Sequence, residues 1–390
     1  MPPGVGGASP AVSEPQLGVG VLDGGASQHG LGVPGLPSAK AHFGPSPSRV
    51  PMSGPPIVVM YEAEPWQGER LGKALVEAPL RRVDGPLNEE TVDQVGEAPV
   101  VSVFIRSQVT RAVIERMPSV RLIATRSTGY DHIDLAACAA SGVTVSNVPT
   151  YGENTVAEHT FSLVLALSRR LGAAIRRSAY GDFSLAGLMG FDLRGKTLGV
   201  VGAGNIGLHV VRIGRAFGME VLAYDVRPQP LLAEVLGFRY APLDELLSRS
   251  DVVSLHVPYR PETHHLLDRE RLGLLKPGAL VVNTARGALV DTVALLEALE
   301  TGRVGGAALD VIEGEEQLME EAQMFHLPDT EEQLRQLLTG HVLAKHDNVI
   351  LTPHMAWYSK EALERILDTT ASNIASFLAG APDNVVSPRS

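Results

Sequence analysis

Apolar and polar residues alternate in blocks from residue 57 to residue 385. Short, almost continuous apolar runs of strand length, such as IVVMYE (57–62) and VVSVFI (100–105), are separated by longer stretches with helical spacing. Strands that are apolar on both faces and alternate with helices predict parallel sheets covered on both sides. We therefore predict an α/β protein.

The apolar runs fall into two series, each of which predicts one doubly wound parallel-sheet domain. The first series predicts strands at 57–62, 100–105, 122–128 and 143–148. The second series predicts strands at 198–204, 220–225, 252–258, 279–285, 305–311 and 348–354. An amphipathic helix at 359–380 is expected to return to the first domain. The chain then crosses between domains near 151–153 and 351–354, where we predict hinges.

This order of elements divides the chain into three parts. We predict a disordered leader at 1–55, a discontinuous substrate domain at 56–151 plus 352–385, and a cofactor-binding domain at 152–351. The leader contains 12 glycines and 10 prolines without periodicity, so it cannot bury enough apolar surface to offset its ordering entropy. Because Met52 precedes the first strand, we expect the functional chain to begin there, after an upstream extension.

Composition narrows the function classes. The formal net charge of −11 argues against non-specific binding to nucleic acid or to an anionic membrane surface. The single cysteine, Cys138, excludes an intrachain disulfide and a cysteine-based metal site, and its alanine-rich surroundings predict a small packed thiol. No apolar run reaches the length of a membrane span. We therefore expect a cytoplasmic protein without a metal site.

The most specific local pattern is LGVVGAGNIGLHVVRIGRAFGMEVLAYD (198–225). A predicted strand runs into a G-x-G-x-x-G turn, formed by Gly202, Gly204 and Gly207, that opens a helix. Glycines permit the tight turn, the approach of a pyrophosphate and close helix–strand packing, and the helix N-terminus supplies amide donors. Strand, turn, helix and second strand together predict dinucleotide binding.

Asp225 ends the second strand of this pattern and predicts which dinucleotide is bound. A carboxylate can accept hydrogen bonds from both ribose hydroxyls of NAD but repels the 2′-phosphate of NADP. Arg227 offers a possible partner for that phosphate, although a solvated arginine in the RPQP loop is the simpler interpretation. We therefore predict NAD as the cofactor.

Six motifs carry a resemblance to a known family: STGYDHIDL (127–135), VSNVPTYGENTVAEHTFSLVLAL (145–167), VGAGNIG, VNTARGALVD (282–291), GAALDVIEGE (306–315) and TPHMAWYSKEALERI (352–366). Their order is similar to that in the D-isomer-specific 2-hydroxyacid dehydrogenases, within which they look closest to the D-lactate dehydrogenase branch. The resemblance covers roughly 57–385. It implies a Rossmann NAD-binding domain inserted into a smaller flavodoxin-like substrate domain, and a homodimer.

The resemblance also implies a catalytic trio of Arg286, Glu315 and His354. Each follows the carboxyl end of a predicted strand, where parallel sheets present ligand sites. Histidine suits proton transfer near neutral pH, a carboxylate partner favours its charged form, and arginine holds a carboxylate with two donors. Taken alone, Arg286 could be a surface charge and Glu315 one of several solvated acids, with Glu313 as a competitor.

Further site residues follow from the resemblance. Asn205 and Ile206 are expected to supply amides to the pyrophosphate. We expect the adenosine side of the cofactor to be lined by Val257, Pro258 and Thr263. We expect the nicotinamide side to be lined by Thr284, Ala285 and Asp310. The expected substrate contacts are Ser127, Thr128, Gly129, Tyr151 and Trp357. Arg106 stays an open candidate for a substrate contact, because it could reach the substrate cleft from the first domain.

A small, pyruvate-like 2-keto acid is the expected substrate, and several alternatives stay open. Glyoxylate or hydroxypyruvate reduction is the runner-up, followed by phosphite oxidation and by an NAD-sensing corepressor built on the same fold. Phosphoglycerate dehydrogenases, which often carry a further domain, are disfavoured, and so are formate dehydrogenases, which have glutamine in place of Glu315.

A charged insert at 316–347 departs from the family pattern. Its apolar residues Leu334, Leu337, Leu338 and Leu343 have helical spacing and predict a helix within it. Met324 and Phe325 are candidates either to cover the cleft or to contribute to an oligomer interface.

Overall fold

Two sheets, each covered by helices on both faces, form the core of the protein. The computed structural model describes residues 57–76, 78–313 and 331–387, except for the side chains of 331–337. The predicted disorder of the leader, the proposed start at Met52, Glu315, and Met324 with Phe325 all lie outside the described residues. No helix among the described residues is long and apolar enough to cross a membrane.

The first sheet has the strand order β13-β5-β4-β3-β1-β2. Its strands are β1 (Val58–Met60), β2 (Leu80–Arg82), β3 (Val100–Val103), β4 (Leu122–Thr125), β5 (Thr144–Ser146) and β13 (Val385–Val386). All neighbours are parallel except β13, which pairs antiparallel with β5. The sequence analysis missed β2 and β13, because a strand of two or three residues at a sheet edge is too short to show a pattern.

Helices cover both faces of this sheet. They are α1 (Pro65–Ala74), α2 (Arg111–Glu115), α3 (Leu135–Ala140) and α12 (Lys360–Leu378). One apolar cluster includes Val113 and Cys138 from α2 and α3, and the opposite cluster includes Leu71 and Ile374 from α1 and α12. Cys138 is 1% exposed, so the predicted small packed thiol is confirmed, and burial raises its pKa to about 11.

The second sheet has the order β12-β11-β10-β9-β6-β7-β8, and its paired neighbours are all parallel. Its strands are β6 (Thr197–Val201), β7 (Glu220–Tyr224), β8 (Arg239–Tyr240), β9 (Val252–Leu255), β10 (Ala279–Asn283), β11 (Val304–Leu309) and β12 (Val349–Leu351). The flanking helices are α4 (Glu153–Ser168), α5 (Leu171–Ala179), α6 (Asn205–Ala216), α7 (Pro230–Leu236), α8 (Leu243–Arg249), α9 (Arg269–Leu274), α10 (Thr292–Glu300) and α11 (Glu331–Lys345). The predicted fold of two doubly wound α/β domains is confirmed.

The predicted helix in the charged insert corresponds to α11. Leu343 is fully buried on this helix, whereas Leu338 is exposed. The chain passes from the first sheet to the second between β5 and α4, and it returns between β12 and α12. Residues 51–390 cluster as a single compact unit, so the domain limits at 151/152 and 351/352 stay predictions.

Candidate active site

The carboxyl ends of the strands of the second sheet meet at one edge, where the predicted cofactor residues, Arg286 and His354 lie. The strand order reverses between β6 and β9, which are neighbours in the middle of the sheet. Such a reversal leaves a crevice beyond the strand ends, because the connecting helices diverge to opposite faces. Gly202 follows β6 and Val257 follows β9 at this crevice.

Two of the three glycines are required by close packing. Gly202 has φ of +100°, and a β-carbon there would lie 2.7 Å from the carbonyl carbon of His256. A β-carbon at Gly207 would lie 1.9 Å from the carbonyl oxygen of Gly202. Neither position tolerates a side chain, so the turn between β6 and α6 depends on glycine.

Gly204 is different, because it faces open space. No heavy atom lies within 4 Å of the position that its β-carbon would take. Gly204 is the N-cap of α6, and Asn205 and Ile206 form the first turn, where backbone N–H groups have no acceptor within the helix. The accessible helix N-terminus therefore fits the pyrophosphate of a dinucleotide.

Asp225 fastens the glycine turn, a role that sequence reasoning missed. Its carboxylate accepts a hydrogen bond from the backbone N–H of Ala203 at 2.8 Å and another from the backbone N–H of Arg227 at 2.8 Å. Arg227 thus meets Asp225 through its backbone. The carboxylate lies at the end of β7, as predicted, and each of its oxygens can accept a further hydrogen bond from a ribose hydroxyl.

The residues predicted to line the adenosine lie on a loop after β9, and the side chain of Thr263 closes this loop with hydrogen bonds. Thr263 accepts a hydrogen bond from the N–H of Arg260 at 2.7 Å, and its hydroxyl donates to the carbonyl of Pro258 at 3.0 Å. Val257 packs against the apolar core of the second sheet. The structure therefore fixes this loop beside the end of β9, and its contact with adenosine stays a prediction.

The segment after β10 carries the predicted nicotinamide residues and the catalytic arginine. Thr284 is buried and exchanges a hydrogen bond with the Thr160 hydroxyl of α4 at 3.0 Å. Asn283, which is fully buried, accepts from the N–H of Ala285 at 3.0 Å and donates to the carbonyl of Arg286 at 2.8 Å. Sequence reasoning missed Asn283, although it fixes the backbone on both sides of Ala285.

Arg286 extends from this segment towards the first domain. A β-carbon at Gly129 would lie 2.9 Å from its Nη2 atom, so the guanidinium rests against the glycine backbone. Burial raises the pKa of Tyr151, an effect that the positive charge of Arg286 and a hydrogen bond with Thr128 counteract only in part. The tertiary structure therefore brings Arg286 together with Thr128, Gly129 and Tyr151.

The loop after β4 is shaped by its own hydroxyl groups. The Ser127 hydroxyl donates to the carbonyl of Gly129 at 2.6 Å, and the Thr128 hydroxyl donates to the carbonyl of Val148 at 2.8 Å. These two side chains hold the loop in place. The backbone of the loop is thus the part that is oriented towards Arg286.

Asp310 holds the segment that carries His354. It is 1% exposed, and its oxygens accept hydrogen bonds from Thr352 at 2.5 Å, from the N–H of Met355 at 2.9 Å and from the N–H of Ala356 at 2.9 Å. Burial by itself raises the pKa of Asp310, but hydrogen bonds from His159, Thr352 and these amides outweigh it and lower the pKa below its ordinary value. Sequence reasoning predicted a nicotinamide contact and missed this anchoring role.

His354 is held in a strained backbone conformation by contacts on both sides. Its φ is +51°, a region that non-glycine residues rarely adopt outside tight turns and functional sites. Its N–H donates to the carbonyl of Asp310 at 2.9 Å, and its own carbonyl accepts from the indole N–H of Trp357 at 2.9 Å. The sequence placed His354 after a strand, but only the structure shows how it is fixed.

Trp357 forms an apolar wall with Phe104, a residue that sequence reasoning missed. Their ring centroids lie 5.0 Å apart in an edge-to-face arrangement. Phe104 follows β3 of the first sheet, so this contact joins the turn after β3 to the segment that follows His354. Aromatic pairs in this geometry stabilise each other beyond the burial of their surface.

The acidic member of the predicted trio, Glu315, lies outside the described residues. Its competitor Glu313 is engaged elsewhere, since both of its oxygens lie 3.1 Å from Nε2 of His265. With His264 these two residues form a group of possible metal ligands, but the histidine rings stack at 3.9 Å and 20°. Stacked rings cannot both direct in-plane lone pairs at one ion.

Comparisons with known proteins identify the family. Residues 161–356 match the model of the D-isomer-specific 2-hydroxyacid dehydrogenase NAD-binding domain. The protein belongs to the D-isomer-specific 2-hydroxyacid dehydrogenase family. It is 40% identical over 312 residues to a 2-hydroxyacid dehydrogenase homologue of Haemophilus influenzae, covering 79% of this chain and 92% of that protein.

Other relatives point to one branch of the family. The D-lactate dehydrogenase of Escherichia coli is 38% identical over 303 residues, covering 77% of this chain and 90% of the relative. The structure of D-lactate dehydrogenase from Aquifex aeolicus, complexed with NAD and lactic acid, has a TM-score of 0.75 and 38% identity, covering 85% of this chain and 100% of that one. This 2-hydroxyacid dehydrogenase is thus an NAD-dependent oxidoreductase that acts on the CH–OH group of its donor.

Proposed function

We propose that the protein reduces pyruvate and somewhat longer apolar 2-keto acids to D-2-hydroxy acids. The observation that supports this substrate class is the apolar wall of Phe104 and Trp357 beside the segment that carries His354. An apolar wall favours a hydrocarbon side chain, and it discriminates each methylene by only about 1–3 kcal/mol. The specificity is therefore expected to be broad within apolar 2-keto acids.

The proposed mechanism assigns a function to each member of the trio. Arg286, supported by its position against Gly129, binds the substrate carboxylate and polarises the adjacent keto group. The imidazole of His354 donates a proton to the developing alkoxide oxygen, and Glu315 favours its protonated form. NADH, when bound, supplies the hydride.

The proposed cofactor contacts follow the carboxyl edge of the second sheet. The open N-terminus of α6, next to Gly204, supports binding of the pyrophosphate by Asn205 and Ile206. Asp225 is proposed to bind the ribose hydroxyls. Asp310, besides anchoring the His354 segment, is proposed to face the nicotinamide together with Thr284 and Ala285.

Specificity constants test the proposal. They are to be compared for pyruvate, 2-ketobutyrate, oxaloacetate, hydroxypyruvate and glyoxylate with NADH, and the configuration of the product is to be determined. We expect pyruvate and 2-ketobutyrate to give the highest values and a D-configured product. A clear preference for oxaloacetate, or an L-configured product, would refute it.

Reduction of hydroxypyruvate or glyoxylate is the second candidate function. It is favoured by a glycerate dehydrogenase of Methylorubrum extorquens, which is 37% identical over 312 residues. An aromatic 2-oxoacid reductase of Clostridium sporogenes, 34% identical over 282 residues, shows that relatives differ in side-chain choice. The same five-substrate comparison separates these functions, because only the second candidate prefers the hydroxylated or unsubstituted acid.

A homodimer in the cytoplasm completes the proposal. Large apolar side chains are exposed on α5 and on the segment that follows it, where Ile175, Tyr180, Phe183, Leu185 and Met189 are each at least 67% exposed. A run of exposed apolar side chains of this kind favours burial against a second copy of the chain. Analytical ultracentrifugation tests it: we expect a dimer, and Phe183→Ser with Leu185→Ser should give monomers.

A further inference from the structure

A cavity of about 500 Å³ is lined in part by the apolar wall of Phe104 and Trp357. Its charged lining residues include Glu62, Arg106 and Arg126. Trp357 also donates a hydrogen bond to the carbonyl of His354, so the cavity borders the segment that carries the proposed catalytic histidine. The charged groups of the cavity therefore influence which substrate side chains the site accepts.

The central charge of this cavity is Glu62. Its side chain is 1% exposed and lies against the turn after β3, and its backbone φ is +51°. There the carboxylate accepts hydrogen bonds from the N–H of Phe104 at 3.2 Å, from the N–H of Arg106 at 2.9 Å and from the hydroxyl of Ser107. Glu62 thus sets the conformation of the turn that carries Phe104 and Arg106.

Glu62 also faces the positive charges of two arginines. The Nε atom of Arg106 lies 3.6 Å from a carboxylate oxygen of Glu62, and the side chain of Arg106 is 67% exposed. Arg126 is 3% exposed, donates to the backbone carbonyls of Tyr61 and Glu62, and is placed over the ring of Phe104. Glu62 helps to hold the pKa of Arg126 up, against the larger lowering effect of burial.

The remaining charges around the cavity are balanced as well. Arg82 forms an ion pair with Asp84, and the Glu64 carboxylate accepts hydrogen bonds from Trp66 and Tyr358. The two lining glutamates, together with Asp84 that pairs with Arg82, balance the charges of the three lining arginines. A second carboxylate on a substrate would meet no net positive charge, although an arginine lies close by.

We propose that Glu62 determines specificity for monocarboxylic substrates by neutralising Arg106, and so makes the cleft reject dicarboxylic 2-keto acids. This inference rests on the proposed function. Glu62 acts without touching the substrate: it keeps Arg106 paired, and its own negative charge repels a second carboxylate. Glu62 therefore positions the turn that carries Phe104 and balances the charge of Arg106.

The test compares two substrates of equal chain length, 2-ketopentanoate and 2-ketoglutarate, which differ in a terminal methyl or carboxylate group. Glu62→Gln should raise kcat/KM for 2-ketoglutarate relative to 2-ketopentanoate by about tenfold. Arg106→Gln in the wild-type background should lower the ratio, because it leaves the negative charge of Glu62 without its partner. The double variant should lose the gain, since the released arginine is then missing.

Two controls keep the result interpretable. Pyruvate reduction and the melting temperature are measured for every variant, and wild-type protein that reduces none of the three acids would refute the proposed function and this inference with it. If Glu62→Gln does not fold, Arg106→Glu replaces it and should lower the 2-ketoglutarate ratio by about tenfold. An unchanged ratio in a folded, pyruvate-reducing variant, or a gain that persists in the double variant, would overturn the inference.

Discussion

Gly129 shows how the absence of one side chain makes room for a catalytic group. Its β-carbon position lies 2.9 Å from Nη2 of Arg286, which is the far end of a flexible side chain. Gly129→Ala is therefore expected to displace Arg286 while leaving the fold intact. The KM for pyruvate should rise about tenfold or more, since orientation of the carboxylate is lost.

The matched control for this variant is Gly273→Ala. Gly273 lies on α9 with no heavy atom within 4 Å of its β-carbon position, so an added methyl group meets nothing. Steady-state kinetics and thermal melting of both variants separate the effect on the site from a general effect of alanine. Equal KM values in the two variants would contradict the contact with Arg286.

His354 is the second prediction at the scale of the residue. His354→Gln should reduce kcat by about 10²–10⁴-fold, because glutamine cannot donate and recover a proton near neutral pH. NADH affinity, measured by fluorescence titration, should stay close to wild type. His209→Gln is a suitable control, since His209 interacts with Arg212 on α6. Wild-type turnover by His354→Gln would remove the proposed acid from the mechanism.

The carboxylate of Asp310 holds the chain segment that follows β12 in position. Asp310→Asn retains one accepting oxygen but directs an amide NH₂ at the N–H of Ala356, which leaves a buried donor unsatisfied. We expect a loss of about 1–3 kcal/mol in the free energy of unfolding. A fall in kcat should accompany it, because the backbone of His354 also bonds to this segment.

The same carboxylate predicts a pH dependence. Its pKa is lowered in the folded state, so its contribution to stability is fully present above its unfolded-state pKa of about 3.9 and is lost as the pH falls through the lower folded value. Urea unfolding at pH 7 and at acidic pH should show a smaller acid-induced loss for Asp310→Asn than for wild type. Asp268→Asn, at the N-cap of α9, is the control; an equal acid loss in wild type and Asp310→Asn would contradict the prediction.

The glycine turn is the second element with a testable dependence. Asp225→Ser removes a charge that repels a 2′-phosphate and weakens the hydrogen bond to the N–H of Ala203. We expect a higher KM for NADH and a reduced preference for NADH over NADPH. Kinetics with both cofactors measure this. If wild-type protein already prefers NADPH, the interpretation of Asp225 is wrong.

For the whole molecule, we expect the two sheet domains to close on the substrate. The hinge near 151–153 is bordered by Arg365 of α12, which donates to the carbonyl of Tyr151 and, at 3.3 Å, to the Thr155 hydroxyl. The other hinge is predicted at 351–354, next to the hydrogen bonds by which Thr352, Met355 and Ala356 are held to Asp310. Closure excludes water from hydride transfer.

Small-angle scattering measures this closure. The radius of gyration should decrease when NADH and oxamate, an analogue of the 2-keto acid, are added together. NADH alone serves as the control for an effect of cofactor binding. Identical scattering curves in all three states would argue against substantial closure.

The sequence determined the features that arise from short stretches of chain. Apolar runs alternating with helical spacing are enough to predict parallel α/β sheets, because strands covered on both faces must be apolar throughout. The glycine turn with Asp225, and the positions of Arg286 and His354 at strand ends, follow from spacing along the chain. Strands of two residues, such as β8 and β13, could not be predicted, since their pairing depends on a neighbour.

Tertiary structure decided what lies together across long separations. The contacts of Arg286 with Gly129, of Phe104 with Trp357, and of Asp310 with the segment after Thr352 join residues from different strands. No periodicity records such contacts, because they depend on how two sheets and their connections pack. The charge balance around Glu62 is of the same kind: sequence shows a glutamate after a strand, and only the fold shows which arginine it neutralises.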